Sequence, residues 1–175
     1  MLKWAGHDQV AVLDGGLPRW VAAGHAISTE PPSHRQGSRY EPRWRDDMRV
    51  SATELAERLA RGDAIVLDAR AAERYRGEVE PIDPVAGHIP GALSAPYTAN
   101  ITPDGIMAPV PELAARFEAL APGRAAEDVI FYCGSGVSAI QNLLAFALTG
   151  RGIPRLYPGS WSEWVTDPNR GVERG

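Results

Sequence analysis

The chain has 175 residues, of which 44% are hydrophobic and 23% charged, and its formal net charge is −4. This length favours one globular domain with additional material, and scattered charge without a basic stripe argues against nucleic acid as a partner. No apolar run approaches a membrane span, no signal-peptide pattern is present, and one cysteine excludes an internal disulfide or a cysteine-rich zinc site. We therefore expect a cytoplasmic protein with no metal and no membrane partner.

The first predicted elements are a strand and turn over residues 9–16 and a short helix over residues 17–23. Pro18 suits the first turn of that helix and Gly24 its end. Residues 155–164 follow the same order of strand, glycine turn and tryptophan-bearing helix. We interpret the two segments as a degenerate internal repeat.

The next stretch, residues 28–50, is rich in proline, glycine and charges without periodicity, which is typical of a linker. A helix follows it. Ser51 is a candidate N-cap and Glu54, three residues later, completes a capping box. Leu55 and Leu59 then lie on one helical face.

From there the predicted elements alternate between strand and helix. Such alternation predicts a three-layer α/β fold with a largely parallel sheet, whose ligands bind at the carboxyl ends of the strands. Asp68 and Cys133 both lie at such ends. The predicted strands are 64–68, 92–95, 129–132 and 155–157, and the predicted helices lie near 53–61, 71–75, 110–120 and 139–149.

The most informative segment is the strand-loop-helix around Cys133, the single cysteine of the chain. Gly134 and Gly136 permit a tight loop whose backbone amides can turn inward, and helical sequence begins at Ala139. A thiol held between amides and a helix N-terminus experiences positive potential, which favours the thiolate. The alternative is a small buried hydrophobic residue, as most free cysteines are, but such a residue needs neither glycine nor Ser138.

The loop from Cys133 to Ser138 resembles the active-site loop of the rhodanese family of sulfurtransferases. Four further segments resemble landmarks of that family in its order: Leu67-Asp68-Ala69-Arg70, Glu73-Arg74-Tyr75-Arg76-Gly77, Gly87-His88-Ile89-Pro90-Gly91-Ala92 and Leu156-Tyr157-Pro158-Gly159-Ser160-Trp161-Ser162-Glu163-Trp164. Cys-Gly-Ser-Gly-Val is similar to the loop of mercaptopyruvate sulfurtransferases within the family. Cysteine-dependent phosphatases instead end this loop with an arginine, and Ala139 stands at that position.

The resemblance implies a rhodanese-like α/β/α fold in which residues 51–170 form a complete catalytic domain. Residues 1–27 then look like the last strand and helix of an N-terminal rhodanese domain. A lone strand and helix cannot bury both apolar faces. We therefore expect residues 1–27 either to dock near the Cys133 mouth or to mediate self-association.

The resemblance also implies roles for individual residues. Cys133 is the expected nucleophile and Arg74 the expected substrate-binding residue, which Arg70 or Arg76 could assist. Asp68 is expected to support the site, by orienting the loop or substrate or by capping the next helix. The expected persulfide and anion cradle is formed by Gly134, Ser135, Gly136, Val137, Ser138 and Ala139.

One departure from the mercaptopyruvate enzymes concerns the stretch 79–86, which has no cation where those enzymes carry a second arginine. Those enzymes are also thought to recruit a histidine and an aspartate from the first domain to work with the loop serine, here Ser135. Because residues 1–27 look like only the end of that domain, we expect both partners to be missing. We therefore expect thiosulfate to serve at least as well as mercaptopyruvate. Sulfur would pass through a covalent Cys133 persulfide, without a cofactor, to an external thiol or cyanide. The alternative is a persulfide-carrying or regulatory module with little turnover.

Overall fold

The computed structural model describes residues 1–31, 37 and 39–175. Part of the predicted linker, residues 32–36 and 38, lies outside the described residues. The described helices are α1 (Gly16–Ala22), α2 (Ala52–Arg61), α3 (Ala72–Tyr75), α4 (Val110–Leu120), α5 (Ala139–Leu148) and α6 (Ser160–Trp164), and short 3-10 turns cover Asp46–Met48, Tyr97–Asn100 and Ala126–Asp128.

The four described strands, β1 (Ile65–Asp68), β2 (Leu93–Ser94), β3 (Val129–Tyr132) and β4 (Arg155–Leu156), form one parallel sheet in the order β2-β1-β3-β4. Ile65 is opposite Val129, and Leu67 is opposite Leu93. The long strands β1 and β3 are therefore central, with their carboxyl ends at the same edge of the sheet. The predicted α/β fold with a parallel sheet is confirmed.

Alternation along the strands divides the core into two layers, because successive side chains of a strand point to opposite faces. Val129 and Phe131 pack with Phe117 of α4 and Phe146 of α5 on one face. Phe117 and Phe146 have ring centroids 5.3 Å apart, within the range of favourable aromatic contacts. The other face joins α2 and α6 through a cluster that includes Leu55, Val66, Ile130, Tyr132, Trp161 and Trp164.

The N-terminus of α2 is capped as the sequence predicts, but the capping box is only half formed. The Ser51 hydroxyl accepts a hydrogen bond of 3.2 Å from the Glu54 backbone N–H. The Glu54 carboxylate does not accept a hydrogen bond from the Ser51 backbone N–H. It accepts a bond of 2.9 Å from Arg155, on the edge strand β4. This ion pair ties α2 to β4 instead.

The strand predicted within residues 9–16 is wrong: residues 9–15, all described, form neither helix nor strand, and α1 begins at Gly16. A strand needs a neighbour to satisfy its backbone groups. The outer edge of β4 is not free for residues 9–15. Arg49 already forms a bridge with Leu156 there, and the Val50 N–H donates to the Leu156 carbonyl. The helix predicted after it does form, as α1, and Trp20 on it is partly exposed.

Among the described residues, no helix combines the length and the apolar character that crossing a membrane would require.

Candidate active site

The Cys133 loop connects the central strand β3 to helix α5, at the carboxyl edge of the sheet. Cys133 follows Tyr132 directly and is 1% exposed, at the junction of strand and loop. Ser135 and Val137 are exposed, and Ser138 is the residue before α5. Cys133 is therefore buried, whereas Ser135 and Val137 of the loop that follows it face solvent.

The surroundings of the Cys133 thiol favour its charged form. Burial alone raises the pKa of Cys133. The Ser138 hydroxyl and the backbone N–H groups of Ala139, Ser135 and Ser138 outweigh this, and the net pKa lies below the ordinary value for a cysteine. Hydrogen bonds to an anion stabilise it over the neutral form, and the N-terminus of α5 adds positive potential. The Ser138 hydroxyl is directed to the Cys133 sulfur and makes no capping bond to the backbone of α5.

The loop is held by the first turn of α6 and by Pro158, which lies between β4 and α6. The Cys133 carbonyl accepts a bond of 3.0 Å from the Trp161 N–H, and the Gly134 carbonyl one of 2.9 Å from the Ser162 N–H. Gly136 has φ +76°, and a Cβ added there would lie 2.5 Å from the Pro158 carbonyl oxygen. Only glycine therefore fits this position, which explains its place in the motif.

Arg74 on α3 lies beside this loop, as the sequence prediction of a substrate-binding arginine requires. A Cβ built on Gly134 would be 3.6 Å from Arg74 Nη1. The opposite edge of the guanidinium is held by the Glu80 carboxylate, at 2.5 Å from Nη2 and 3.3 Å from Nε, with Asp83 3.5 Å away. Within the described part of the chain Nη1 makes no hydrogen bond to protein. Arg74 therefore presents one edge to the loop.

The other two candidate arginines are engaged elsewhere. Arg70, 2% exposed, is held by Asp68 with a shortest N–O distance of 2.6 Å, and it also donates to Glu80 and to the Gly87 carbonyl. Arg76 pairs with Glu78 at the surface. Both arginines that could assist Arg74 thus have carboxylate partners of their own.

The Asp68 carboxylate is hydrogen-bonded to Arg70. Its Oδ1 accepts from both the backbone N–H and the Nε of Arg70, at 2.9 and 3.1 Å. The helix-capping alternative is not seen, since α3 begins after Ala71 and has no side-chain cap. A supporting role for Asp68 in the chemistry stays a prediction.

Two residues near the site were not singled out from the sequence. Glu80 holds both Arg70 and Arg74, and no local pattern in the stretch 79–86 predicts that pairing. Ser160 contacts the backbone of Cys133. Ser160 belongs to the noted Pro-Gly-Ser-Trp segment, but its contact depends on the tertiary fold.

Parts of residues 1–27 line two cavities together with residues of α5. Asp14 accepts a bond of 2.9 Å from the Met107 N–H. Residues 12–16 and the exposed loop residue Val137 line a common cavity of about 480 Å³. A second, mostly apolar cavity of about 640 Å³ separates residues 1–4 and 10–12 from Ile140, Leu143 and Leu144.

The family model described as "Rhodanese-like domain" matches residues 51–167. The probable 3-mercaptopyruvate sulfurtransferase of Pseudomonas aeruginosa is 48% identical over 176 residues, which span all of this chain and 62% of that protein. Bovine thiosulfate sulfurtransferase is 32% identical over all of this chain and 60% of its own length.

Two further proteins are similar. The sulfur carrier protein TtuD of Thermus thermophilus is 32% identical over 93% of this chain and 60% of its own length. The solved structure of the anaerobic ergothioneine biosynthesis enzyme from Chlorobium limicola, in complex with trimethyl histidine, has a TM-score of 0.85 and 28% identity over 98% of this chain and 43% of that one. The chain thus spans about three-fifths of the length of these curated relatives.

Proposed function

This chain belongs to the rhodanese-like domain family, and we propose that it transfers a sulfane sulfur from a small anionic donor to an external acceptor through a Cys133 persulfide. The observation that carries the proposal is a single thiol with a lowered pKa, set among inward-facing amides at a strand–helix junction. Relatives named as thiosulfate and 3-mercaptopyruvate sulfurtransferases support the reaction class.

In the first step the Cys133 thiolate attacks the outer sulfur of the donor. With thiosulfate, the sulfur–sulfur bond of the donor breaks, its electron pair leaves on sulfite, and Cys133 becomes a persulfide. Mercaptopyruvate has a single sulfur, which the thiolate attacks; the carbon–sulfur bond breaks, its electron pair leaves on carbon as the enolate of pyruvate, and a proton taken up at that carbon gives pyruvate. The loop amides and the Ser138 hydroxyl stabilise the anionic sulfur throughout, as preorganised dipoles rather than as acids or bases.

In the second step an acceptor thiolate or cyanide attacks the outer sulfur of the persulfide. The bond between the two persulfide sulfurs breaks, the product carries away the transferred sulfur, and the Cys133 thiolate is regenerated. The sequence contains no second cysteine, so an internal disulfide cannot compete with this step. The proposed acceptor is therefore a thiol or cyanide from outside residues 1–175.

Arg74 is proposed to bind the charged end of the donor with the guanidinium edge that faces Gly134. The stretch 79–86 supplies Glu80 and Asp83 next to Arg74 rather than a second cation. The donor carboxylate of mercaptopyruvate then lacks a second partner, whereas thiosulfate, whose sulfite leaves without proton transfer, requires less. Thiosulfate is therefore the proposed donor of choice.

A second candidate is a persulfide carrier with little turnover of its own. The similarity to a protein named as a sulfur carrier favours it. The two candidates differ in kinetics. An enzyme releases many equivalents of sulfite in the presence of thiosulfate and cyanide, whereas a carrier releases about one equivalent as it loads and then stops.

The test is the Cys133→Ser variant. A hydroxyl of similar size fits the loop but cannot form a persulfide, so we expect unchanged folding and no sulfur transfer. After incubation with thiosulfate, intact-protein mass spectrometry should show one added sulfur atom on the wild-type protein and none on the variant. Appreciable thiocyanate formation by the variant would contradict the assignment of Cys133.

A further inference from the structure

Ser160, at the start of α6, has a backbone conformation that side-chain-bearing residues rarely adopt. Its φ is +56°, and it is the only non-glycine residue with positive φ among the described residues. This region is disfavoured for L-residues by contact between Cβ and the backbone, and such conformations concentrate at functional sites. Glycine would adopt the same φ without strain. The presence of serine is therefore explained by its hydroxyl, not by its backbone.

The Ser160 hydroxyl is fully buried and makes two hydrogen bonds. It donates to the Tyr157 carbonyl at 2.9 Å, and it accepts from the Cys133 backbone N–H at 3.1 Å. The second bond connects α6 to the residue that carries the thiol. If the Ser160 hydroxyl were removed, the buried Cys133 N–H would lose this acceptor. A buried donor without an acceptor destabilises the folded state.

The bond from Cys133 to Ser160 completes a set of three that fix the first peptides of the loop. The Cys133 and Gly134 carbonyls accept from Trp161 and Ser162, and the Cys133 N–H donates to Ser160. The groups that stabilise the thiolate come from further along the loop, at Ser135, Ser138 and Ala139. The start of the loop is therefore anchored on α6 while its later amides converge on the sulfur.

We propose that Ser160 is a positioning residue for sulfur transfer: its hydroxyl anchors the Cys133 N–H and so holds Sγ where the amides of the loop converge. The inference rests on the proposed function for its kinetic consequence, but its geometric consequence concerns the thiol alone. Loss of the hydroxyl misaligns the thiolate with its donors. The reactivity of Cys133 then falls without any change in the residues that touch the sulfur.

Two substitutions separate the hydroxyl from the backbone strain. Ser160→Ala removes the hydroxyl and keeps the strain, whereas Ser160→Gly removes both. We expect both variants to lose about tenfold in kcat/KM with thiosulfate, and both to shift the pH profile of Cys133 alkylation by iodoacetamide to higher pH. Ser160→Gly should melt a few degrees above Ser160→Ala, because glycine relieves the strain. If the alanine variant fails to fold, the glycine variant carries the test.

The control is Thr166→Ala. The Thr166 hydroxyl, just beyond α6, makes the same local bond to the carbonyl three residues earlier, but to Glu163 rather than around the active-site loop. It should leave both the alkylation profile and the kinetics unchanged. A wild-type alkylation profile for Ser160→Gly would overturn the proposal, because that variant also lacks the hydroxyl. Alkylation requires no sulfur donor, so a wild-type protein without sulfur transfer would refute the proposed function and leave this test intact.

Discussion

Removal of the Glu80 side chain should destabilise the protein far more than its place in an irregular segment suggests. The Glu80 carboxylate, 3% exposed, accepts hydrogen bonds from both Arg70 and Arg74. It also accepts from the backbone N–H groups of Ile82 and Asp83, each at 3.2 Å. Glu80→Ala leaves all of these donors without that partner, and two of them belong to guanidinium groups with little access to water.

The expected magnitude follows from burial. Removing one partner of a buried ion pair costs about 3–5 kcal/mol, because the other charge stays buried. Arg70 retains Asp68, and Arg74 retains Asp83 at 3.5 Å, which places the expected loss of unfolding free energy at the lower end, about 3 kcal/mol. For a protein of this size, that corresponds to a fall in Tm on the order of 10 °C.

Urea denaturation of Glu80→Ala at neutral pH measures this cost, and Glu78→Ala is the matched control. Glu78 is two residues away and also pairs with an arginine, Arg76, but both side chains are exposed. Exposed pairs contribute little, so the control should unfold with an unchanged midpoint. Equal and small effects of the two substitutions would refute the reasoning that burial makes the Glu80 network strong.

The same experiment has a defined pH dependence. Burial alone raises the pKa of Glu80, but the bonds from Arg74 and from the Asp83 and Ile82 amides lower it below the ordinary carboxyl value of 4.5. A carboxyl with a depressed folded-state pKa contributes stability above its unfolded pKa and loses it as pH falls through the folded pKa. The difference between wild type and Glu80→Ala should therefore be full at neutral pH and shrink at pH below about 4.

Three further predictions concern the donor site and residues 1–27. Arg74→Ala should lower kcat/KM for thiosulfate by about ten- to a hundredfold through loss of a charge-assisted contact, while Arg76→Ala leaves it unchanged. Wild-type protein should use thiosulfate at least as well as mercaptopyruvate, and a strong mercaptopyruvate preference would contradict this. Deletion of residues 1–27 should change activity, oligomeric state or solubility, because it removes one wall of the two cavities that the segment lines with α5. A monomeric, fully active deletion variant with unchanged Tm would show the segment to be inert.

The sequence predicts the sheet and its helices well where local signals and burial agree. β3 begins and ends at the predicted residues, Val129 and Tyr132, because it is a continuous apolar run that a glycine loop ends. α4 likewise matches its predicted bounds. The strand that was wrongly predicted within residues 9–16 has a different explanation. Apolar content there favours a strand, but a strand exists only if a partner edge is free, and sequence pattern carries no information about that.

The candidate site is predictable from sequence only in its linear parts. Cys133 and its loop are contiguous, so their strand–loop–helix arrangement can be derived from the order of residues. The partners of Arg74 depend on how residues 79–86 fold back onto α3. The bond between Cys133 and Ser160 joins positions 27 residues apart in the chain. Such contacts are set by tertiary packing, and single-sequence patterns do not encode them locally.

The charges around the loop indicate how this protein can attract an anion at all. The guanidinium groups of Arg70 and Arg74, of which Arg74 lies beside Gly134, pair with the three carboxylates of Asp68, Glu80 and Asp83. If all are ionised, this cluster is not positive. Attraction of the proposed anionic donor would then come from directed groups: the loop amides, the N-terminus of α5 and the edge of Arg74 that faces Gly134. Such groups act at short range and demand correct orientation, which makes the anchoring of the loop as important as its charge.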